Sequence, residues 1–192
     1  MNLQQENIAT PIQTKTNESA ITKVFWIATF VFLTAIGAQI ELPIYPVPFT
    51  LQTFFVLLSG VLLGKRGGAI SMSIYVFFGT IGLPIFAGGS AGIVKILGPT
   101  GGYLLAFPIA AFIVGYLVSF KQSFIWIVFA VTIGSISIFL LGTIQLNYVL
   151  YHNWGSSLQA GLFIFSLWDV IKILGVASIS SYYFKRIQSS KQ

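Results

Sequence analysis

Residues 158–184 read LQAGLFIFSLWDVIKILGVASISSYYF, an apolar run with Asp169 and Lys172 set inside it. A membrane-spanning helix needs roughly 20 mostly apolar residues, so this run places the chain in a bilayer. A charge at mid-membrane costs roughly 2.5–3.5 kcal/mol on insertion scales, and such residues usually face a cavity and act there. Three residues apart, the two groups share one helix face and can neutralise each other. The pair sets a carboxylate acceptor beside an ammonium donor, which suits a small polar solute held within the membrane. The same face predicts Leu162, Phe165, Ser166 and Val176 as further cavity residues. The competing reading is a buried ion pair that only fixes helix packing.

The rest of the composition agrees with a membrane setting. Of 192 residues, 56% are hydrophobic and only 7% charged, and the mean hydropathy is +0.89. A soluble domain carries nearer a quarter charged residues. The length allows about six spans with short connections and no second soluble domain. There is no cysteine and a single histidine, His152. Disulfides and thiolate metal sites are therefore excluded, and no metal or cofactor is expected. Residues 1–22 are polar and read as a disordered tail, with the membrane domain over 23–186 and a short tail over 187–192. Glu6 and Glu18 in the long polar lead argue against a cleaved signal peptide.

Hydropathy and helix breakers predict an all-α, six-helix transmembrane bundle. The spans fall at 24–42, 50–63, 69–83, 103–120, 122–150 and 158–184. Basic residues test that count. With a cytoplasmic N-terminus, the inside carries Lys15, Lys23, Lys65, Arg66, Lys121, Lys185, Arg186 and Lys191, and the outside only Lys95. Such a bias is the positive-inside pattern, and it puts both termini in the cytoplasm of a multi-pass plasma-membrane protein. Trp26, Tyr45, Tyr103, Trp126 and Trp154 fall near span ends, where aromatic anchors belong. The outer loops, 41–49, 85–102 and 146–158, hold most of the prolines and glycines. Irregular backbone at membrane depth survives only where protein or a wet cavity satisfies it. A site capped from outside follows.

Two glycine-rich stretches, Gly88-Gly89-Ser90-Ala91-Gly92 and Gly98-Pro99-Thr100-Gly101-Gly102-Tyr103, superficially resemble phosphate loops. Neither ends in the Gly-Lys-Ser/Thr of a nucleotide-binding loop, and neither follows a soluble strand. They read as a tight fold over neighbouring helices or as a lid that closes on a ligand. Lys95 either draws an anionic solute to the mouth or is an ordinary interfacial lysine. Gln39, Gln52, Tyr75, Gln145 and Asn147 are polar groups in apolar surroundings, where hydrogen bonding between helices is the default role. Gln52 and Tyr75 are also candidates to reach the capped site. Neither a metalloprotease nor a serine-hydrolase motif is present, so no catalytic role is assigned. Nothing points to nucleic acid.

Five stretches together resemble one known family. They are Gly37-Ala38-Gln39-Ile40, Pro46-Val47-Pro48-Phe49-Thr50-Leu51-Gln52-Thr53 and Gly82-Leu83-Pro84-Ile85-Phe86-Ala87-Gly88-Gly89. Leu97-Gly98-Pro99-Thr100-Gly101-Gly102-Tyr103-Leu104 and Asp169-Val170-Ile171-Lys172 complete them. In this order they are similar to the BioY family, the biotin-binding S-components of energy-coupling factor (ECF) transporters. The resemblance implies a six-helix vitamin binder that does no chemistry. It also implies partnership with a transmembrane coupling protein and cytoplasmic ATPase subunits, since the chain has no ATPase motif of its own. By the same resemblance Asp169 and Lys172 contribute to biotin recognition, and Gln52 and Tyr75 match recurring positions. The family's first helix tends to carry an Ala-x-x-x-Ala coupling surface. Here Ala28 is followed by Phe32, so that motif is degraded. The rival expectations are an S-component for another small vitamin and a passive facilitator or channel lined by the charge pair.

Overall fold

Ser19 opens the first helix, α1 (Ala20–Gln39), because its Oγ accepts the amide N–H of Thr22 at 3.2 Å. That bond satisfies one of the donors every helix start leaves orphaned. In this computed structural model the described residues are 19–163 and 167–189, with side chains throughout except at 162, 163 and 167. Residues 1–18 and 190–192 lie outside them. So do Phe165, Ser166 and the side chain of Leu162, three of the expected cavity residues.

Past α1 the prolines at 43, 46 and 48 forbid a helix, and the chain makes a small hairpin instead. Strand β1 (Glu41–Leu42) pairs antiparallel with β2 (Phe49–Thr50), matching Glu41 to Thr50 and Leu42 to Phe49. Helix α2 (Gln52–Thr80) follows. A straight helix would hold Gln52 and Tyr75 about 35 Å apart at 1.5 Å per residue. Instead Gln52 Nε2 donates to Tyr75 Oη at 3.0 Å. The chain has doubled back at Gly64, whose φ of 71° and ψ of 178° lie in a region essentially reserved for glycine. The two arms then run so close that a Cβ on Gly68 would stand 2.9 Å from the Gly60 Cα. Small residues permit such approach between membrane helices. These arms occupy the sequence expected as the second and third spans.

A short helix, α3 (Ile93–Leu97), interrupts the glycine-rich connection to α4 (Gly101–Val118). Helix α5 (Phe124–Leu146) ends in a wide turn over Asn147–Tyr151, and His152 takes the left-handed conformation at φ 51°. The described parts of the last apolar run are helical on either side of residues 164–166: α6 (Trp154–Phe163) and α7 (Leu167–Ser189). Ser157 Oγ donates to Asn147 Oδ1 at 3.0 Å, which folds the start of α6 against the end of α5.

Helix α4 lies between the α2 hairpin and α5, α1 covers another side of the hairpin, and α7 packs against α5 and α2. Val56, Leu57, Met72, Phe107, Val114, Ile138 and Val176 fill the interior. Phe32, Phe77, Ile125 and Leu140 point outward. In water such a surface would aggregate; in hydrocarbon it is the correct exterior. Among the described residues, four helical segments are long and apolar enough to cross a membrane: Ala20–Gln39, Gln52–Thr80, Gly101–Val118 and Phe124–Tyr151. Helix α7, with its internal charges, is not one of the four.

Candidate ligand-binding site

One end of the bundle holds a cavity of about 430 Å³. Its volume lies in the roughly 300–1,000 Å³ range typical of small-molecule sites. The β1–β2 hairpin and the 86–100 connection roof it, while α2, α4, α5 and α7 supply its walls. The 86–100 part of the roof is held at both ends by amide side chains. Gln39, at the end of α1, donates through Nε2 to Phe86 O at 3.2 Å and accepts the Gly89 N–H through Oε1 at 3.0 Å. Gln145 Nε2, on α5, donates to Ile96 O at 2.7 Å and Gly98 O at 2.8 Å. The amides that looked misplaced in an apolar sequence satisfy an irregular backbone that has no helix or sheet to do so.

Asp169 and Lys172 both line this cavity, on the first turn and a half of α7. Asp169 is 3% exposed. Lys172 Nζ donates to Asp169 Oδ1 at 3.1 Å and to Thr53 Oγ1 at 3.0 Å. An ammonium has three N–H donors, and the third has no protein partner among the described residues. The pair is therefore more than a spacing along one helix: Thr53 ties it to the first turn of α2. Gln52, beside Thr53, also lines the cavity and is 4% exposed.

Tyr75 belongs behind the wall rather than in it. Its hydroxyl accepts from Gln52 Nε2 and donates to Ile85 O at 2.8 Å. Its ring meets Phe86 edge-on at 5.7 Å and stacks with Phe107 at 6.3 Å, and both of those phenylalanines face the cavity. Tyr75 thus orients Gln52 and two aromatic wall residues at once. Lys95 lines the cavity from α3 and remains exposed. Val176, expected on the cavity face, is fully buried in the packed core. Glu41, Thr53, Thr100, Tyr103 and Phe139 also line the site and were not named individually as ligand contacts. Thr53, Thr100 and Tyr103 lie in stretches the sequence did mark, the run through Gln52 and the glycine-rich lid, whereas Glu41 and Phe139 carried no signal.

The arrangement offers one buried carboxylate, two ammonium groups on different elements, an amide, and aromatic walls. It binds and orients; it has no nucleophile paired with a base. Among the described residues no cluster of three or more His, Cys, Asp or Glu could hold a metal.

A family model described as the BioY family matches residues 10–189. The chain belongs to the BioY family. It is 39% identical over 159 residues to the biotin transporter BioY of Thermotoga maritima, covering 83% of this chain and 93% of that protein. A probable biotin transporter BioY from Pyrococcus horikoshii is 57% identical over 93 residues, 48% of this chain and 57% of that protein. Among solved structures, the S-component for biotin from an ECF-type ABC transporter superposes with a TM-score of 0.80 at 28% identity. That match covers 86% of this chain and 92% of the other. Membership in the BioY family makes the chain a multi-pass membrane transporter component and not an enzyme.

Proposed function

We propose that this BioY-family chain is the biotin-capturing S-component of an ECF-type uptake transporter. The likeness to the solved biotin S-component, over nearly the full length of both chains, carries the assignment. Biotin's ureido ring presents N–H donors and a carbonyl acceptor on an apolar bicycle. The Asp169 carboxylate accepts an N–H, and the third donor of Lys172 serves the carbonyl. Charge-assisted hydrogen bonds in a dry site are roughly twice as strong as neutral ones. Phe86, Phe107 and Phe139 cover the sulfur and methylenes. Lys95 attracts the valerate carboxylate to the mouth, and Gln52 adds a polar contact held in place by Tyr75. The 85–102 segment, pinned by Gln39 and Gln145, gates the outer side.

Six spans with both termini cytoplasmic is the topology we propose. Two observations support it: the α2 hairpin turns at Gly64 beside Lys65 and Arg66, and Lys95 is the one lysine or arginine in the expected outer connections 41–49, 85–102 and 146–158, Lys172 lying within α7. The helical domain reaches past the expected bounds of 23–186, since α1 begins at Ala20 and α7 runs to Ser189. Because the native chain lacks cysteine, single cysteines at Lys95 and Arg66 test the sidedness cleanly. An impermeant thiol reagent should label the first from outside and the second only after permeabilisation.

The decisive experiment is equilibrium binding of labelled biotin to the purified chain, with Asp169→Asn in parallel. Tight binding in the wild type and severe loss in the variant are expected. No binding by well-folded wild type, with binding of another vitamin, would move the assignment to that vitamin.

A further inference from the structure

At the end of the bundle opposite the roofed cavity lies a second concavity of about 610 Å³, between α1, the α2 hairpin and the end of α7. Its walls are apolar, from Phe30, Leu58, Leu62 and Ile70, with Trp26 beside them. Its rim carries two cations, Lys23 and Arg66. The neighbouring Lys65 is turned away, its Nζ over the Tyr116 ring at 5.2 Å from the centroid. Arg66 therefore faces this groove as the hairpin's remaining charge.

Nothing within the described chain neutralises that rim. Among the described residues the acids are Glu41 and Asp169, and both line the other cavity. An aliphatic trench running up to two exposed cations matches an anionic amphiphile: hydrocarbon against the leucines, phosphate against the guanidinium and ammonium. Arginine's fork suits phosphate oxygens bidentately. Basic pockets between membrane helices on the cytoplasmic side bind anionic head groups, and the surrounding leaflet supplies them. Trp26, one turn after Lys23, lies at the depth where an indole bridges head groups and chains.

We propose that this groove binds one anionic phospholipid of the cytoplasmic leaflet, its acyl chain between α1 and the α2 hairpin and its phosphate on Lys23 and Arg66. The sidedness rests on the topology proposed above; the site itself does not depend on biotin being the ligand of the other cavity.

Trp26 supplies the reporter. The full chain in nanodiscs is titrated with phosphatidylglycerol or phosphatidylcholine brominated on the acyl chain, and Trp26 emission is isolated as the difference between wild type and Trp26→Phe. Bromine quenches only a neighbouring indole. The expected result is quenching at far lower mole fractions of the anionic lipid. At about fivefold per cation, the Lys23→Gln, Arg66→Gln double variant should lose about 25-fold of that preference. Labelled-biotin binding, measured on the same samples, should be unchanged, which separates this site from the ligand cavity and certifies the fold. Equal quenching by the two lipids in the wild type, or a preference that survives in the double variant, overturns the proposal. If the groove instead seats the coupling protein, both lipids will quench alike in the isolated chain and both will be displaced on assembly.

Discussion

Three groups converge at Lys172 Nζ: the Asp169 carboxylate on its own helix, the Thr53 hydroxyl on another, and the cavity. Removing the charge from Asp169 leaves a buried ammonium without its counter-ion, a state that costs several kcal/mol when the pair is dry. Asp169→Asn should therefore lower biotin affinity by at least about 100-fold, read by labelled-ligand equilibrium, while the protein still inserts. Thr53→Val keeps the shape and removes one acceptor; hydrogen bonds to charged groups are worth about 1.5–3 kcal/mol, so affinity should fall roughly 10–100-fold in the same assay. An unchanged affinity for the valine variant would show that Lys172 is positioned by Asp169 alone. Tyr75→Phe strands the Gln52 amide and the Ile85 carbonyl, at about 1–3 kcal/mol of stability. Its signature is a lower unfolding midpoint in detergent, with a smaller effect on ligand than Asp169→Asn.

Which of these residues the sequence exposes follows from chemistry. A charge inside an apolar run is conspicuous because hydrocarbon tolerates it so poorly, and Asp169 and Lys172 stood out for that reason. Thr53 did not, because threonine is cheap almost anywhere and its role appears only once α7 lies against α2. Tyr75 was legible as a polar group out of place, but periodicity says nothing about whether a hydroxyl faces a cavity or the back of its wall. Val176 shares the helix face of the charge pair, and the core claimed it as α7 ran deeper into the bundle.

At the scale of elements, Gly64 is the residue on which the hairpin turns. A Cβ there would meet nothing within 4 Å, so space is not the constraint; the backbone is. With φ at 71° and ψ at 178°, Gly64→Ala should cost about 1–3 kcal/mol from strain alone. A thermal melt of the purified variant checks this, and an unaltered midpoint would mean the turn relaxes elsewhere. The two arms of the hairpin were readable from hydropathy and from the glycine-rich, basic interruption between them. The chain turns back over Asn147–Tyr151, where Ser157 bonds Asn147, inside the connection expected over 146–158. The roof is an element of another kind, short on internal hydrogen bonds and held by two borrowed amides. Gln145→Leu should free Ile96 and Gly98, raising the dissociation rate of biotin more than it slows association. Stopped-flow exchange against unlabelled ligand measures both.

For the whole molecule, the binding apparatus and the energy source are separate things. The chain carries a roofed pocket and no nucleotide-binding motif, so capture and accumulation come apart in experiment. Reconstituted alone in liposomes it should bind biotin without concentrating it, and accumulation should require the coupling protein, the ATPase subunits and ATP. Sustained flux by the chain alone would instead favour the facilitator reading. The helical membrane fold was legible, because bilayer thickness acts on whole segments. The cavity's shape was not, because it arises where six segments meet and belongs to none of them.

The contact between Lys172 and Thr53 joins residues 119 positions apart. A ribosome therefore finishes one half of the site long before it begins the other. Gln52 and Thr53 enter the membrane early and wait, while α7, the least apolar of the long helices, arrives last with two charges that already have a destination. A polypeptide released after residue 163 should insert its earlier helices and retain no labelled biotin. Ligand retention by this protein is thus a test of completed synthesis, and a nascent or prematurely terminated copy cannot compete for the vitamin with finished ones.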